Sequence, residues 1–255
     1  MYALRSFIHL IWMVLFVIPT ALYMVVMAPF ASKDHQFKAA KFFLARSIYG
    51  LRWICGVNWR VTGMDNLPGL DPSGKQLPAI LLVKHQSQYE TFLMPLIMPR
   101  PLAYVFKKEI LHIPFFGWGI GRLEMIHIDR KAGKQAFVKV VEQGRALLAK
   151  GIWIIMFPEG TRSPDGALQT PKPGVGLFAC RAQVPVLPVR IFGSFEAFGR
   201  SGSVRLGTPV TVVFGRPLAP LDYDVPGAGK ERYQLASERI MAAIARLQPP
   251  PERVV

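Results

Sequence analysis

Cysteine is almost absent from this chain. Cys55 and Cys180 are the only two among 255 residues, and neither lies in a C-x-x-C. That argues against a disulfide framework and a thiolate zinc site, and it suits a reducing compartment. Acidic residues are also scarce: 16 Asp and Glu stand against 31 Lys and Arg, for a formal net charge of +15. An excess of this size implies an anionic partner, whether a phospholipid surface, a phosphorylated molecule, an acidic carrier protein or nucleic acid. Nucleic acid fits least, because the basic residues are dispersed and no recognised binding motif accompanies them. Charged residues make up only 18% of a chain that is 51% hydrophobic, with a mean hydropathy of +0.27, which points toward a membrane. No G-x-S-x-G occurs, so a serine hydrolase built on Ser87 and His85 is set aside. No internal repeat or low-complexity block is present.

What the chain does have begins with 25 residues without a formal charge, Phe7 to Ala31. As a helix they measure about 37 Å, enough to span a bilayer, although Pro19 and Pro29 would kink or divide the run and leave a re-entrant segment possible. A cleaved signal peptide fits less well, since the run is long for an h-region and no A-x-A site precedes Ser32. From Phe37 to Val57 a second helix is expected, with Lys38, Lys41, Arg46 and Arg52 on one arc of about 140° and Phe42, Phe43, Leu44, Ile48, Leu51, Trp53 and Ile54 elsewhere. That pattern suits a helix lying in a membrane interface; the alternative is a surface helix of the globular body. Six of the seven basic residues before residue 61 follow the apolar run, which predicts a body on the cytoplasmic face of the inner membrane. The expected organisation is therefore a membrane-anchoring part at 1–58, an α/β domain at 59–248 and a tail at 249–255.

The α/β domain is read from alternating patterns. Strands are expected at Trp59–Thr62, Ala79–Val83, Leu102–Phe106, Met125–Ile128, Ile152–Phe157, Val186–Ile191 and Val210–Phe214. Helices are expected at Tyr89–Met98, Gly133–Lys150 and Lys230–Leu247. The chemistry-bearing residues stand where strands end, the usual place for a site in an α/β sheet. Lys84-His85-Gln86-Ser87-Gln88-Tyr89-Glu90 follows the first buried strand. Residues five apart on one helix are about 140° apart, so His85 and Glu90 meet only if His85 lies in the loop and Glu90 in the first turn. Ser87 to Glu90 also fits an S-x-x-E capping box, so Glu90 is either a cap or the carboxylate that orients an imidazole base.

Four more stretches accompany it. Phe157-Pro158-Glu159-Gly160-Thr161-Arg162-Ser163 is a turn that can aim backbone N–H groups, Thr161 and the Arg162 guanidinium at a phosphate. Lys107 and Lys108 end a strand and open a very apolar loop. Arg130 ends another strand. The prolines of Val184-Pro185-Val186-Leu187-Pro188-Val189 predict a strand edge or a cavity wall.

Together these stretches resemble the glycerolipid acyltransferases, and among them the bacterial 1-acylglycerol-3-phosphate acyltransferases. That family carries N-H-Q-S-x-x-D, K-x-E-L-x-x-I-P, a strand ending in D-R or R, F-P-E-G-T-R-S and V-P-x-x-P-V, and all five stand here in that order between Lys84 and Val189. Two departures matter: Lys84 replaces the Asn, and Glu90 replaces the Asp. The resemblance implies a mixed, largely parallel sheet with flanking helices and an N-terminal membrane-embedded segment. It implies His85 as base and Glu90 as its support, with Lys107, Arg130, Glu159, Gly160, Thr161 and Arg162 at the substrate phosphate, and no metal or cofactor. The implied substrates are lysophosphatidic acid and an acyl thioester, acyl-CoA or acyl-carrier protein, beside membrane phospholipid. A related acyltransferase acting on glycerol 3-phosphate or another lysolipid, and an inactive lipid-binding scaffold on the same fold, are the alternatives.

Overall fold

The computed structural model describes residues 2–27, 30–74, 77–129, 133–199 and 204–251. Strands β1 (Trp59–Thr62), β2 (Ile80–Val83), β3 (Leu102–Lys107), β4 (Ile126–Ile128), β5 (Trp153–Met156), β6 (Val186–Phe192) and β7 (Val210–Phe214) form one sheet in the order β1-β7-β6-β2-β5-β3-β4. All neighbours are parallel except β6 and β7, so β1 and β7 run against the other five. The seven predicted strands are all present, within a residue at either end.

Every residue of β2 and of β5 is buried, as strands covered on both faces must be. Alternation then splits them between two cores. Leu81, Val83, Trp153 and Ile155 face one side, where they join Ile48, Leu51 and Cys55 of α2 (Lys33–Cys55) and Leu93 of α3 (Tyr89–Ile97). Ile80, Leu82, Ile154 and Met156 face the other, against α5 (Gly133–Ala149), α6 (Pro173–Ala182) and α9 (Gly229–Arg246). Three shorter α-helices are also present among the described residues: α4 (Phe116–Ile120), α7 (Ser194–Ala197) and α8 (Pro220–Tyr223).

The two N-terminal helices pack as a hairpin. Helix α1 (Tyr2–Met27) starts five residues before the predicted run, takes in Arg5 and continues through Pro19 without a break, so that proline does not divide it. Pro29 lies outside the described residues. Ala3–Met27 is long and apolar enough to cross a membrane, and Leu4, Phe7, Leu10, Leu15 and Val26 are more than half exposed. The inner side of α1 joins α2 through Trp12 Nε1, which donates to the Arg46 carbonyl at 2.8 Å, and through His9, whose Nε2 lies 3.0 Å from the Ser47 carbonyl. Helix α2 begins at a Ser32 cap, whose hydroxyl accepts the His35 N–H at 3.3 Å, and ends at Gly56 with φ 71°. Its Phe42 and Trp53 point outward while Ile48 and Leu51 are fully buried in the sheet's core. The helix therefore joins the apolar hairpin to the α/β body.

One expectation fails in its first alternative. The prolines predicted a sheet edge or cavity wall, but β6 is an interior strand, with Pro188 opposite Leu82 of β2. The missing N–H is tolerated because β7 has already ended at Phe214. Beyond it only the Gly215 N–H reaches the Pro188 carbonyl, at 2.9 Å, before the next bridge at Val186 and Leu218. Helix α6 was not anticipated. Its Gly176 lies so close to the Tyr233 carbonyl of α9 that a methyl group would collide, and those glycines hide the helix from propensity.

Candidate active site

Adjacent strands β2, β5 and β3 all deliver their carboxyl ends to one place, so the loop after each reaches a common cavity. Its volume is about 1120 Å³, and its wall includes His85, Lys107 and the whole turn from Phe157 to Arg162. Beyond these it is mostly apolar, running past Phe115 and Phe137 to Val17 of α1 and Phe43 of α2.

His85 lies in the loop after β2 and Glu90 is the second residue of α3, so the pair meet across the loop–helix junction. Nδ1 of His85 is 3.3 Å from Glu90 Oε2. The imidazole is 16% exposed and the carboxylate is fully buried. Glu90 receives two further donors, the Ser87 N–H at 2.8 Å on Oε2 and the Ser194 hydroxyl at 2.7 Å on Oε1. A carboxylate ringed by donors accepts only, so the proton between it and the ring belongs to His85 Nδ1. That leaves Nε2 as the basic nitrogen, and it has no partner among the described residues. The Phe157 ring stacks on the imidazole, with centroids 3.8 Å apart and planes 16° apart.

The capping box is present in altered form. The helix starts at Tyr89, and the Ser87 hydroxyl accepts the Tyr89 N–H at 3.0 Å, one position earlier than a regular box requires. Its reciprocal half, Ser87 N–H to Glu90, is intact. Glu90 thus caps the helix and holds the histidine with the same oxygen.

Glu159 is 1% exposed and both its oxygens are taken: Oε2 by the His85 N–H at 2.9 Å and Oε1 by the Gln169 N–H at 3.0 Å. Burial pushes its carboxyl up, against the pull of those two N–H groups and of Lys84. The Ser163 N–H donates to the His85 carbonyl at 2.8 Å, a second tie between this turn and the histidine loop. Gly160 sits at φ 71°, where a side chain would strain the backbone. Thr161 is exposed and Arg162 half-buried on the same turn. Neither Arg162 nor Lys107 has an ion-pair partner among the described residues, in contrast to Lys108, which pairs with Asp129 at 2.5 Å. Arg130 lies outside the described residues.

The sequence model of the acyltransferase family matches residues 58–192. The chain belongs to the acyltransferase family. A 1-acyl-sn-glycerol-3-phosphate acyltransferase of Pseudomonas aeruginosa is 33% identical to it over 208 residues, covering 82% of this chain and 77% of that protein. A second enzyme of that name from Chlamydomonas reinhardtii is 29% identical over 227 residues, 85% of this chain and 64% of the relative. The crystal structure of the 1-acyl-sn-glycerophosphate (LPA) acyltransferase PlsC of Thermotoga maritima superposes with a TM-score of 0.73 at 21% identity, over 98% of each chain. That likeness covers the α1–α2 hairpin as well as the mixed sheet and flanking helices of the acyltransferase domain.

Some of this candidate site was not anticipated. Gln86 and Phe157 stand inside quoted motifs, but nothing in those motifs gave them separate roles. Ser194 lies 104 residues after Glu90, with no pattern to connect them.

Proposed function

We propose that this protein moves a fatty acyl group from an acyl thioester, acyl-CoA or acyl-carrier protein, to the free hydroxyl of 1-acylglycerol 3-phosphate, giving phosphatidic acid. The observation that carries the reading is His85. Its Nδ1 is anchored on Glu90, its Nε2 has no partner among the described residues, and the ring stands in the wall of an apolar cavity with Lys107 and Arg162, which have no ion-pair partner among those residues. In this reading Nε2 removes the acceptor's hydroxyl proton as that oxygen attacks the thioester carbonyl. The new C–O bond forms, the C–S bond breaks, and the proton passes from Nε2 to the departing thiolate. Glu90 stabilises the imidazolium between these steps, and Phe157 stacks beneath it. No acyl-enzyme is required.

Lys107 and Arg162 are assigned to the acceptor phosphate, with Thr161 offering its hydroxyl and Gly160, whose N–H donates to the Phe157 carbonyl at 3.0 Å, shaping the turn beside it; Arg130 completes the set. Glu159, already occupied by two backbone donors, acts by holding the turn. Residues 1–58 anchor the protein in the membrane, 59–248 form the acyltransferase domain, and 249–255 are a tail. The exposed apolar side of α1 and the basic residues after it support placing that domain on the cytoplasmic face of the inner membrane. The reading is tested with purified protein, acyl-CoA and acyl-carrier-protein donors, and a panel of acceptors, with products identified by mass. Thiol release that requires lysophosphatidic acid and yields phosphatidic acid is expected; release without an acceptor, or none with any, overturns it.

A further inference from the structure

Lys84 is the most unusual residue near the site. It follows β2 directly, where the resembling family carries Asn, and it is 2% exposed, among the largest fully buried side chains in the protein. Lysine is almost never buried without partners, because an ammonium taken out of water needs compensation. Its Nζ donates to Gln86 Oε1 and to the Gly166 carbonyl, two neutral oxygens. The charge is compensated at longer range. Glu159 on the turn after β5, Glu90 on α3 and Asp165 beyond the turn all favour the ammonium, while Arg190 of β6 opposes it.

The contacts of Lys84 lead to the histidine in one direction. The ammonium only donates, so the atom of Gln86 facing it must be the amide oxygen. The Ile191 carbonyl only accepts, so the atom facing it, at 2.9 Å, must be the amide nitrogen. The same nitrogen donates to the Ser194 hydroxyl at 2.8 Å. Having accepted that hydrogen, Ser194 directs its own to Glu90 Oε1 at 2.7 Å. Every donor in the series therefore points toward the carboxylate that holds His85. The second arm, to Gly166, pins the loop that follows Arg162.

We propose that Lys84 is a positioning residue for His85, a buried cation that compensates the Glu90 and Glu159 carboxylates and orients Glu90 through Gln86 and Ser194. Two carboxylates lie buried within 0–1% exposure here, and Lys84 is the buried cation that faces both. Without it, Glu159 takes up a proton more readily, and a protonated Glu159 can no longer accept from both the His85 and the Gln169 N–H. Burial pushes the Lys84 ammonium down, Glu159 and Glu90 push it back up, and the same attraction acts in reverse on the Glu159 carboxyl.

The inference rests on the acyltransfer reading above, and the test separates the two. Full-length protein in detergent is assayed for thiol release as wild type, Lys84→Met, Lys84→Arg and His85→Ala. Methionine matches the lysine stem without its charge. In Lys84→Met, kcat is expected to fall roughly 10- to 100-fold, part of the 10²- to 10⁴-fold a general base supplies, while KM for both substrates stays within about twofold. The acid limb of the kcat profile is expected to move to higher pH by about one unit, since the cation opposing carboxyl protonation is gone. Lys84→Arg keeps a cation with only donors and recovers most of kcat. If Lys84→Met does not fold, Lys84→Asn serves as the uncharged variant, with the same shift expected. An unchanged kcat and pH profile in the folded uncharged variant overturns the inference, as does a kcat loss with an unmoved profile. Full turnover by His85→Ala would overturn instead the reading on which it rests.

Discussion

Glu90→Gln is the sharpest single test of the site. In the protein the carboxylate accepts from the Ser87 N–H at 2.8 Å, the Ser194 hydroxyl at 2.7 Å and His85 Nδ1 at 3.3 Å. Glutamine has one acceptor oxygen to offer. Set at the Oε2 position, it preserves the cap and the Nδ1–H tautomer, while its NH₂ faces Ser194, which turns its hydrogen away. Shape and cap survive, and the charge is lost. A carboxylate about 4 Å from an imidazolium is worth about 4 kcal/mol at an effective dielectric of 20. At 1.36 kcal/mol per decade this corresponds to a kcat lowered by about 10³-fold. Stability changes little, because weaker hydrogen bonds are offset by relief from burying a charge, and a net 1 kcal/mol shifts Tm by only about 2–4 °C in a chain of this size. The assay pairs thiol release from acyl-CoA in the presence of lysophosphatidic acid with thermal unfolding. Glu90→Asp keeps the charge but reaches about 1.5 Å less far, one C–C bond, and retains more activity than Gln. A Gln variant within about threefold of wild-type kcat would leave Glu90 as a helix cap only.

Three further outcomes are expected. Arg162→Ala and Lys107→Ala should raise KM for a phosphorylated acceptor at least about tenfold and leave a phosphate-free acceptor nearly unaffected, with Arg162→Lys restoring little because the guanidinium fork is lost; equal losses on both acceptors would indicate a structural role. High salt should leave the protein on membranes and detergent should release it, because α1 presents apolar residues rather than charge; release of intact protein by salt alone would contradict this. Asp224 is held at about 2, below its ordinary 3.8, chiefly by the Arg232 guanidinium, which meets it with two hydrogen bonds of 2.7 Å. A depressed carboxyl contributes stability above its unfolded value and loses it as pH falls toward the folded one, so the stability gap between wild type and Asp224→Asn should be full at pH 6 and narrow below pH 4; a gap independent of pH would refute the ion pair.

The strands were legible in the sequence because they are short apolar runs between turn residues, and β2 and β5 are buried on both faces. The site's main pair was legible because five-residue spacing has only one geometry that brings His85 to Glu90. What escaped was whatever depends on distant chain. Helix α6 is short, opens on Pro173 and is built around glycines whose value lies in how close α9 can come. Pro188 looked like an edge residue because local rules cannot see that β7 ends beside it. Ser194 had no signal at all, since its role exists only where the start of α7 comes to lie beside α3.

Capping the helix and holding His85 are not rival roles for Glu90, because one of its oxygens makes both contacts. A capping box places a carboxylate in the first turn with one oxygen turned back toward the preceding loop. Here that loop contains the histidine, so the oxygen that caps Ser87 is already aimed at Nδ1. The second oxygen is left for Ser194, which fixes the carboxylate's plane and thereby the imidazole's orientation. Neither function compromises the other, because a carboxylate has enough lone pairs for all three donors. It follows that stability alone cannot separate the roles of Glu90. Only a change that keeps the cap and removes the charge can do so, and among the natural side chains glutamine does this with the least change of shape.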